Sequence, residues 1–157
     1  IPLMLIADRI RDPGNLGVLI RTAAAAGASA VVTLAGSVSA RNSKAVRSSA
    51  GAFFRVPVIE HVAAGKLLDF CRSRSIRLYR ADARGGIRYT EADLRTSCAV
   101  LLGSETGGIS EKDFAGVTSI TVPMAHDAES LNVAMAGSVI FFEAFRQRHH
   151  LRQPCLL

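Results

Sequence analysis

Short unbroken apolar runs alternate along this chain with longer stretches at helical spacing, and glycine or proline punctuates the joints. Leu3–Ala7 is an apolar run ending at Asp8 and predicts a buried strand. The turn Asp12-Pro13-Gly14-Asn15-Leu16-Gly17 follows, then a helix from about Leu16 to Ala26, with Gly27 as its C-cap. Ala30–Leu34 predicts the second strand. Ser43–Ala50 reads as a short helix ended by Gly51, and Val56–Val62 as a strand whose Pro57 marks a start or an edge. Lys66–Ser75 carries Leu67, Leu68 and Cys71 at core spacing, and Ile76–Ala81 is the fourth strand. Residues 83–93 read as a loop with a weak strand or turn. Ala99–Gly103, a helical turn at Ser110–Phe114 and a strand at Ser119–Val122 complete the alternation.

The last element is the longest. From Leu131 to Phe145 nearly every residue is apolar or small, which predicts a helix covered on most sides, with Ser130 as its N-cap. No internal repeat or low-complexity linker interrupts the sequence, so the pattern predicts one α/β domain on a parallel sheet. Ligands in such sheets gather at the carboxyl ends of the strands, here the loops after Asp8, Ala81, Gly103 and Val122.

Composition narrows the class. The 157 residues are 49% hydrophobic, enough for a sizeable core, and no apolar run approaches the length of a membrane span. Ile1–Ile6 is too short and lacks the basic leader of a signal peptide. Cys71, Cys98 and Cys155 are odd in number and widely spaced, and His61, His126, His149 and His150 form no ligand pattern. The expectation is reduced thiols, a cytoplasmic location, no metal and no membrane. Net charge is +6, but residues 41–88 hold eleven Lys/Arg against three Asp/Glu. That local excess suits a polyanion as well as a solvated surface.

Three stretches carry chemistry. Asn15 and Arg21 lie six apart, and Arg21 is the one charged residue between Asp12 and Arg41. An arginine among Leu19, Ile20, Ala23 and Ala24 needs a carboxylate, a phosphate or solvent, and Glu105 offers a carboxylate. Gly103-Ser104-Glu105-Thr106-Gly107-Gly108 follows a buried strand, so it is a tight turn or a place where backbone nears a ligand. It is neither a dinucleotide fingerprint nor a phosphate loop. Ser130-Leu131-Asn132-Val133 sets polar groups at the mouth of the last helix. A Ser130–His126–Asp127 triad lacks a nucleophile elbow.

In this order, N-x-G-x-x-x-R-T-A, G-S-E-x-x-G and P-M-x-x-x-x-x-S-L-N-V resemble the three motifs of the SpoU (TrmH-like) branch of the SPOUT RNA methyltransferases. Residues 42–52 also resemble that family's connecting region, and the similarity runs from Leu3 to Arg148. The resemblance implies a three-layer α/β/α fold on a parallel sheet, with a trefoil knot at the C-terminal helix. It implies S-adenosylmethionine as cofactor, a ribose 2′-OH of RNA as acceptor (rRNA ahead of tRNA) and a homodimer with the active site near the subunit boundary. Carried over by motif, Gly103, Val122 and Leu131 contact the cofactor, with Leu102, Ala81 and Met124 beside them. Arg21, Asn15, Glu105, Ser130 and Asn132 form the catalytic cluster. By charge, Arg41, Lys44, Arg47 and Arg55 are the candidates for RNA contact.

Thr106 and His126 depart from positions that many relatives give to glycine. Many relatives also carry a separate N-terminal RNA-binding domain, and residues 1–157 correspond to the catalytic domain alone. A guanidinium is a poor base, so Arg21 reads as a clamp on the ribose and its neighbouring phosphate, with the family's deprotonated arginine as the alternative. Glu105 either pairs with Arg21 or caps the glycine turn. The rival function is an RNA-binding module that keeps the fold without turnover.

Overall fold

The protein is described here by a computed structural model covering residues 1–103, 113–125 and 130–149. In chain order the elements are β1 (Leu3–Asp8), α1 (Pro13–Ala25), β2 (Ala30–Leu34), α2 (Ser43–Ser48), a 3-10 turn (Ala52–Phe54), β3 (Val58–Val62) and α3 (Ala64–Ser73). There follow β4 (Arg77–Ala81), β5 (Ile87–Arg88), β6 (Cys98–Gly103), β7 (Thr118–Thr121) and α4 (Val133–His149). The strands form one parallel sheet in the order β3-β2-β1-β6-β4-β7-β5.

The central strands are apolar on both faces because both faces are covered. Leu3, Leu5, Ala7, Val100 and Leu102 point to one side, where Leu16, Leu19 and Ile20 of α1 and Ile140 and Phe141 of α4 pack on them. Met4, Ile6, Ala99 and Leu101 point to the other, against Leu67 and Cys71 of α3 and against Phe114. Burying each large side chain contributes roughly 1.5–3 kcal/mol, so the unbroken runs hold the sheet. Helices on both sides make three layers, as expected. The trefoil knot that the resemblance implies is not traced by the described residues, which leave out 104–112 and 126–129.

Two glycines set how close the helices come. A Cβ on Gly17 would run into the Ala45 carbonyl oxygen and lie 2.6 Å from the Ser48 Cβ, so the missing side chain lets α2 press closely on α1 there. A Cβ on Gly137 would lie 2.6 Å from Leu19 and 2.9 Å from Leu102, so that glycine lets α4 reach both α1 and the sheet.

Three local expectations are corrected. The Asp-Pro-Gly-Asn stretch is the first turn of α1 rather than a loop before it. Asp12 caps the helix by accepting from the Asn15 N–H at 2.9 Å, and Pro13 fills the first position, where its missing N–H costs nothing. Asn132, not Ser130, caps α4: its Oδ1 accepts from the N–H groups of Ala134 (2.9 Å) and Met135 (3.3 Å). Nor is α4 covered on most sides, because Met135 and Phe142 are 51% and 50% exposed. Pro57 directly precedes β3, and β3 is an edge strand. The turn expected at Ser110–Phe114 falls partly outside the described residues, as do Cys155, His126 and His150. No described helix is long and apolar enough to cross a membrane.

The far end of α4 ties the fold shut. The Arg148 guanidinium donates to the backbone carbonyls of Leu94 (2.7 Å), Thr96 (2.7 Å), Ile1 (2.9 Å) and Pro2 (3.2 Å). One side chain thereby joins the last helix to the beginnings of β1 and β6.

Candidate active site

Strands β6, β4 and β7 lie side by side, and their carboxyl ends open on a cavity of about 200 Å³. Leu102 and Gly103 form its back, with Ile120, Val122 and Met124 on one flank. Ser130 and Leu131 precede α4 at another, and Val133, Ala136 and Ile140 present the helix itself. The remaining wall is charged: Arg80, Asp82 and Arg84, with Ala81 and Ala83 between them. An apolar back with a polar rim suits a flat, partly polar ligand.

All six residues expected to touch a cofactor, Leu102, Gly103, Ala81, Val122, Met124 and Leu131, line this one cavity. Of the five in the expected catalytic cluster, Ser130 lines it too. Asn132 stands just beyond Ser130 and Leu131, and its Nδ2 donates to Asn15 Oδ1 at 3.2 Å. The start of α1 is thereby held at the start of α4. Glu105 lies outside the described residues. Arg21 sits on the exposed side of α1 and does not line the cavity. Solvent, one of the three partners expected for it, is within its reach there.

Of the four basic residues expected to meet RNA, all are exposed. Arg41 is 3.1 Å from Glu60, and Lys44 is 3.2 Å from Asp12. Burial raises the Glu60 pKa, but hydrogen bonds from Ser39, the Ala40 N–H and Arg41 outweigh it and hold the carboxyl below its ordinary range. The side chains of Arg47 and Arg55 have no ion-pair partner among the described residues.

Sequence reasoning pointed to the loop after Ala81 but not to the charged side chains of this wall. Arg84 grips Asp82 through Nε at 3.1 Å and Nη2 at 3.2 Å, and its own N–H donates to the same carboxylate at 2.9 Å. Arg80 lies 3.5 Å away on the other side, braced by Ser119 at 2.7 Å. Asp82 N–H also donates to the Ile120 carbonyl at 3.0 Å, which continues the β4–β7 ladder one residue into the loop. The Arg84 hydrogen bond, outweighing burial, holds the Asp82 carboxyl below its ordinary range. The signal available was Asp82 with an arginine two residues to either side, at the carboxyl end of a strand.

Comparisons with known proteins agree on one family. The SpoU rRNA Methylase family profile matches residues 2–142. The chain is 34% identical over 140 residues to the 23S rRNA (guanosine(2553)-2'-O)-methyltransferase RlmP of Bacillus subtilis, covering 88% of this chain and 56% of that protein. Among solved structures it resembles the SpoU methyltransferase AviRb of Streptomyces viridochromogenes in complex with AdoMet. That likeness has a TM-score of 0.89 and 32% identity, and covers 95% of this chain and 61% of that one. A structure concerned with the 2-OH methylation of C/U34 on tRNA gives a TM-score of 0.83 at 29% identity, with 92% and 95% covered. The chain spans about half the length of the curated relatives it matches.

Proposed function

Because this chain belongs to the SpoU rRNA methylase family, we propose that it transfers the methyl group of S-adenosylmethionine to a ribose 2′-OH of RNA. The observation that carries the reading is the convergence of Leu102, Gly103, Ala81, Val122, Met124 and Leu131 on one cavity. Those six come from four separate stretches of sequence.

The cavity fits such a cofactor on its own chemistry. Leu102, Val122, Leu131 and Ile140 offer apolar surface to a purine, and the Arg80–Asp82–Arg84 wall offers charge and hydrogen bonds to its polar parts. Bound there, the sulfonium supplies a methyl group that needs no further activation. The protein's task is then to position the hydroxyl and manage its proton. Asn132 spends its Oδ1 on the helix cap, which aims its NH2 at Asn15 and leaves the Asn15 NH2 turned away from that contact, as a donor for substrate. Arg21 acts as a clamp on ribose and phosphate, since a guanidinium stays charged at neutral pH. Ser130 and Glu105 complete the catalytic cluster.

Arg21 on the exposed side of α1, and the exposed Met135 and Phe142 on α4, support a homodimer in which the active site forms near the subunit boundary. Light scattering checks this, and a monomer at micromolar concentration contradicts it. The proposed setting is cytoplasmic. The acceptor is rRNA ahead of tRNA, on the strength of relatives named for 23S rRNA. Calorimetric titration with S-adenosylmethionine tests the reading: saturable binding that Leu131→Asp abolishes is expected, and no binding by the folded chain overturns it.

A further inference from the structure

Between residues 41 and 55 the chain carries four Lys/Arg and no Asp/Glu. Near the end of that stretch stands Phe54, 79% exposed. A single exposed phenylalanine is ordinary by itself. This one is held in place. Ala52 and Val56 on either side are buried, the Phe54 N–H donates to the Gly51 carbonyl at 3.2 Å, and the Arg55 N–H to Ala52 at 2.9 Å. Phe53, packed against the core, meets the Phe54 ring edge-to-face at a centroid distance of 5.2 Å and 89°. The ring is thus fixed in orientation with most of its surface in water.

The other exposed phenylalanines differ. Phe70 is covered by the guanidinium of Arg74, 5.7 Å above it, and Phe142 lies against Phe145 on α4. Arg55 directly follows Phe54 and Arg47 is exposed on α2 just before the turn, and neither side chain has an ion-pair partner among the described residues. A rigid aromatic face beside unspent guanidinium groups suits a nucleic-acid strand whose bases are unstacked: the ring takes a base and the arginines take its phosphates. The turn and α2 both pack on α1, the helix that carries Asn15 and Arg21, so strand and site share one rigid support.

We propose that Phe54, braced by Phe53 and set in the same basic segment as Arg47 and Arg55, is a stacking platform for an unpaired base of the RNA substrate. The inference rests on the RNA-methyltransferase reading and adds to it a single-stranded contact outside the cofactor cavity.

The chain has no tryptophan, so Phe54→Trp introduces a lone indole reporter at the platform. Titration with single-stranded oligoadenylate is expected to quench its emission, while a stacked RNA duplex is not. Phe54→Ala and Phe54→Leu should each weaken oligoadenylate binding roughly tenfold, the scale of one base–aromatic stack. Their affinity for S-adenosylmethionine should stay at the wild-type value. Wild-type affinity for oligoadenylate in both variants overturns the platform alone. Emission that follows protein concentration instead of RNA also overturns it and assigns the ring to a second copy. A wild-type chain that binds neither S-adenosylmethionine nor RNA sinks the parent reading with it.

Discussion

The side-chain amide of Asn132 donates to the side-chain oxygen of Asn15 at 3.2 Å, joining the starts of two helices 117 positions apart. The bond depends on the cap. With Asn132 Oδ1 committed to the N–H groups of Ala134 and Met135, its NH2 must face outward, and there it finds Asn15. One residue thus starts α4 and sets the direction of a neighbour's amide.

Asn132→Ala should therefore cost about 1 kcal/mol of stability through the lost cap, a Tm drop of roughly 2–4 °C for a chain of this size. Ser130→Ala should leave Tm unchanged. Asn132→Asp keeps a capping oxygen but removes the donor to Asn15, so it should restore Tm and still transfer methyl groups slowly. Thermal melts beside a methyl-transfer assay separate the two roles. Equal melting losses at positions 130 and 132 would contradict the assignment of the cap.

Arg21 lies on the exposed side of α1 and does not line the cavity, so its removal should not disturb the cofactor. Arg21→Ala is expected to abolish methylation while S-adenosylmethionine affinity stays within about threefold, less than 1 kcal/mol. Loss of both together would take Arg21 out of the catalytic role.

Asp82 links the cavity wall to acid stability. Its carboxyl, gripped by Arg84, has a folded-state pKa below its unfolded one. A group shifted that way stabilises the fold fully above the unfolded value, and the contribution is lost as pH falls through the folded one. Stability should accordingly stay flat from pH 8 to about 5 and fall only below about 4, the ordinary aspartate range, and cofactor affinity that depends on this wall should fall over the same range. Asp82→Asn should weaken binding at neutral pH and remove that acid limb. A variant with the wild-type profile would show that the wall does no such service.

Gly17 offers a packing test away from any ligand. Its missing side chain makes room for the Ala45 carbonyl and Ser48 of α2, both slow to move because they belong to a helix. Gly17→Ala should destabilise by about 1–3 kcal/mol, the usual cost of overpacking. Denaturant midpoints measure it, and an unchanged midpoint would mean that α2 is free to retreat.

How far the sequence was legible depends on which physics set each feature. Strands β1 and β6 are buried on both faces, so Leu3–Ala7 and Ala99–Gly103 stand out as unbroken apolar runs. The residues proposed to hold the cofactor were named through motif resemblance, and they line one cavity at adjoining strand ends that a parallel sheet brings together. The cap of α4 was not, because Ser130 and Asn132 are equally good capping residues and only the backbone path chooses between them. The exposed face of α4 was misread for a related reason. Apolarity says that a surface seeks cover and not whether the same chain supplies it. The loop after Ala81 was expected to meet a ligand, but Arg80, Asp82 and Arg84 were not singled out, since their significance comes from the cavity beside them.

The central claim is methyl transfer to a ribose oxygen of RNA. Its most direct test incubates the chain with tritiated S-adenosylmethionine and pools of rRNA and tRNA, followed by alkaline hydrolysis. The account predicts label in an alkali-resistant dinucleotide, because a methylated 2′-oxygen cannot assist cleavage of its own phosphodiester. Label released in mononucleotides, or no transfer by a chain that binds both cofactor and RNA, would contradict it.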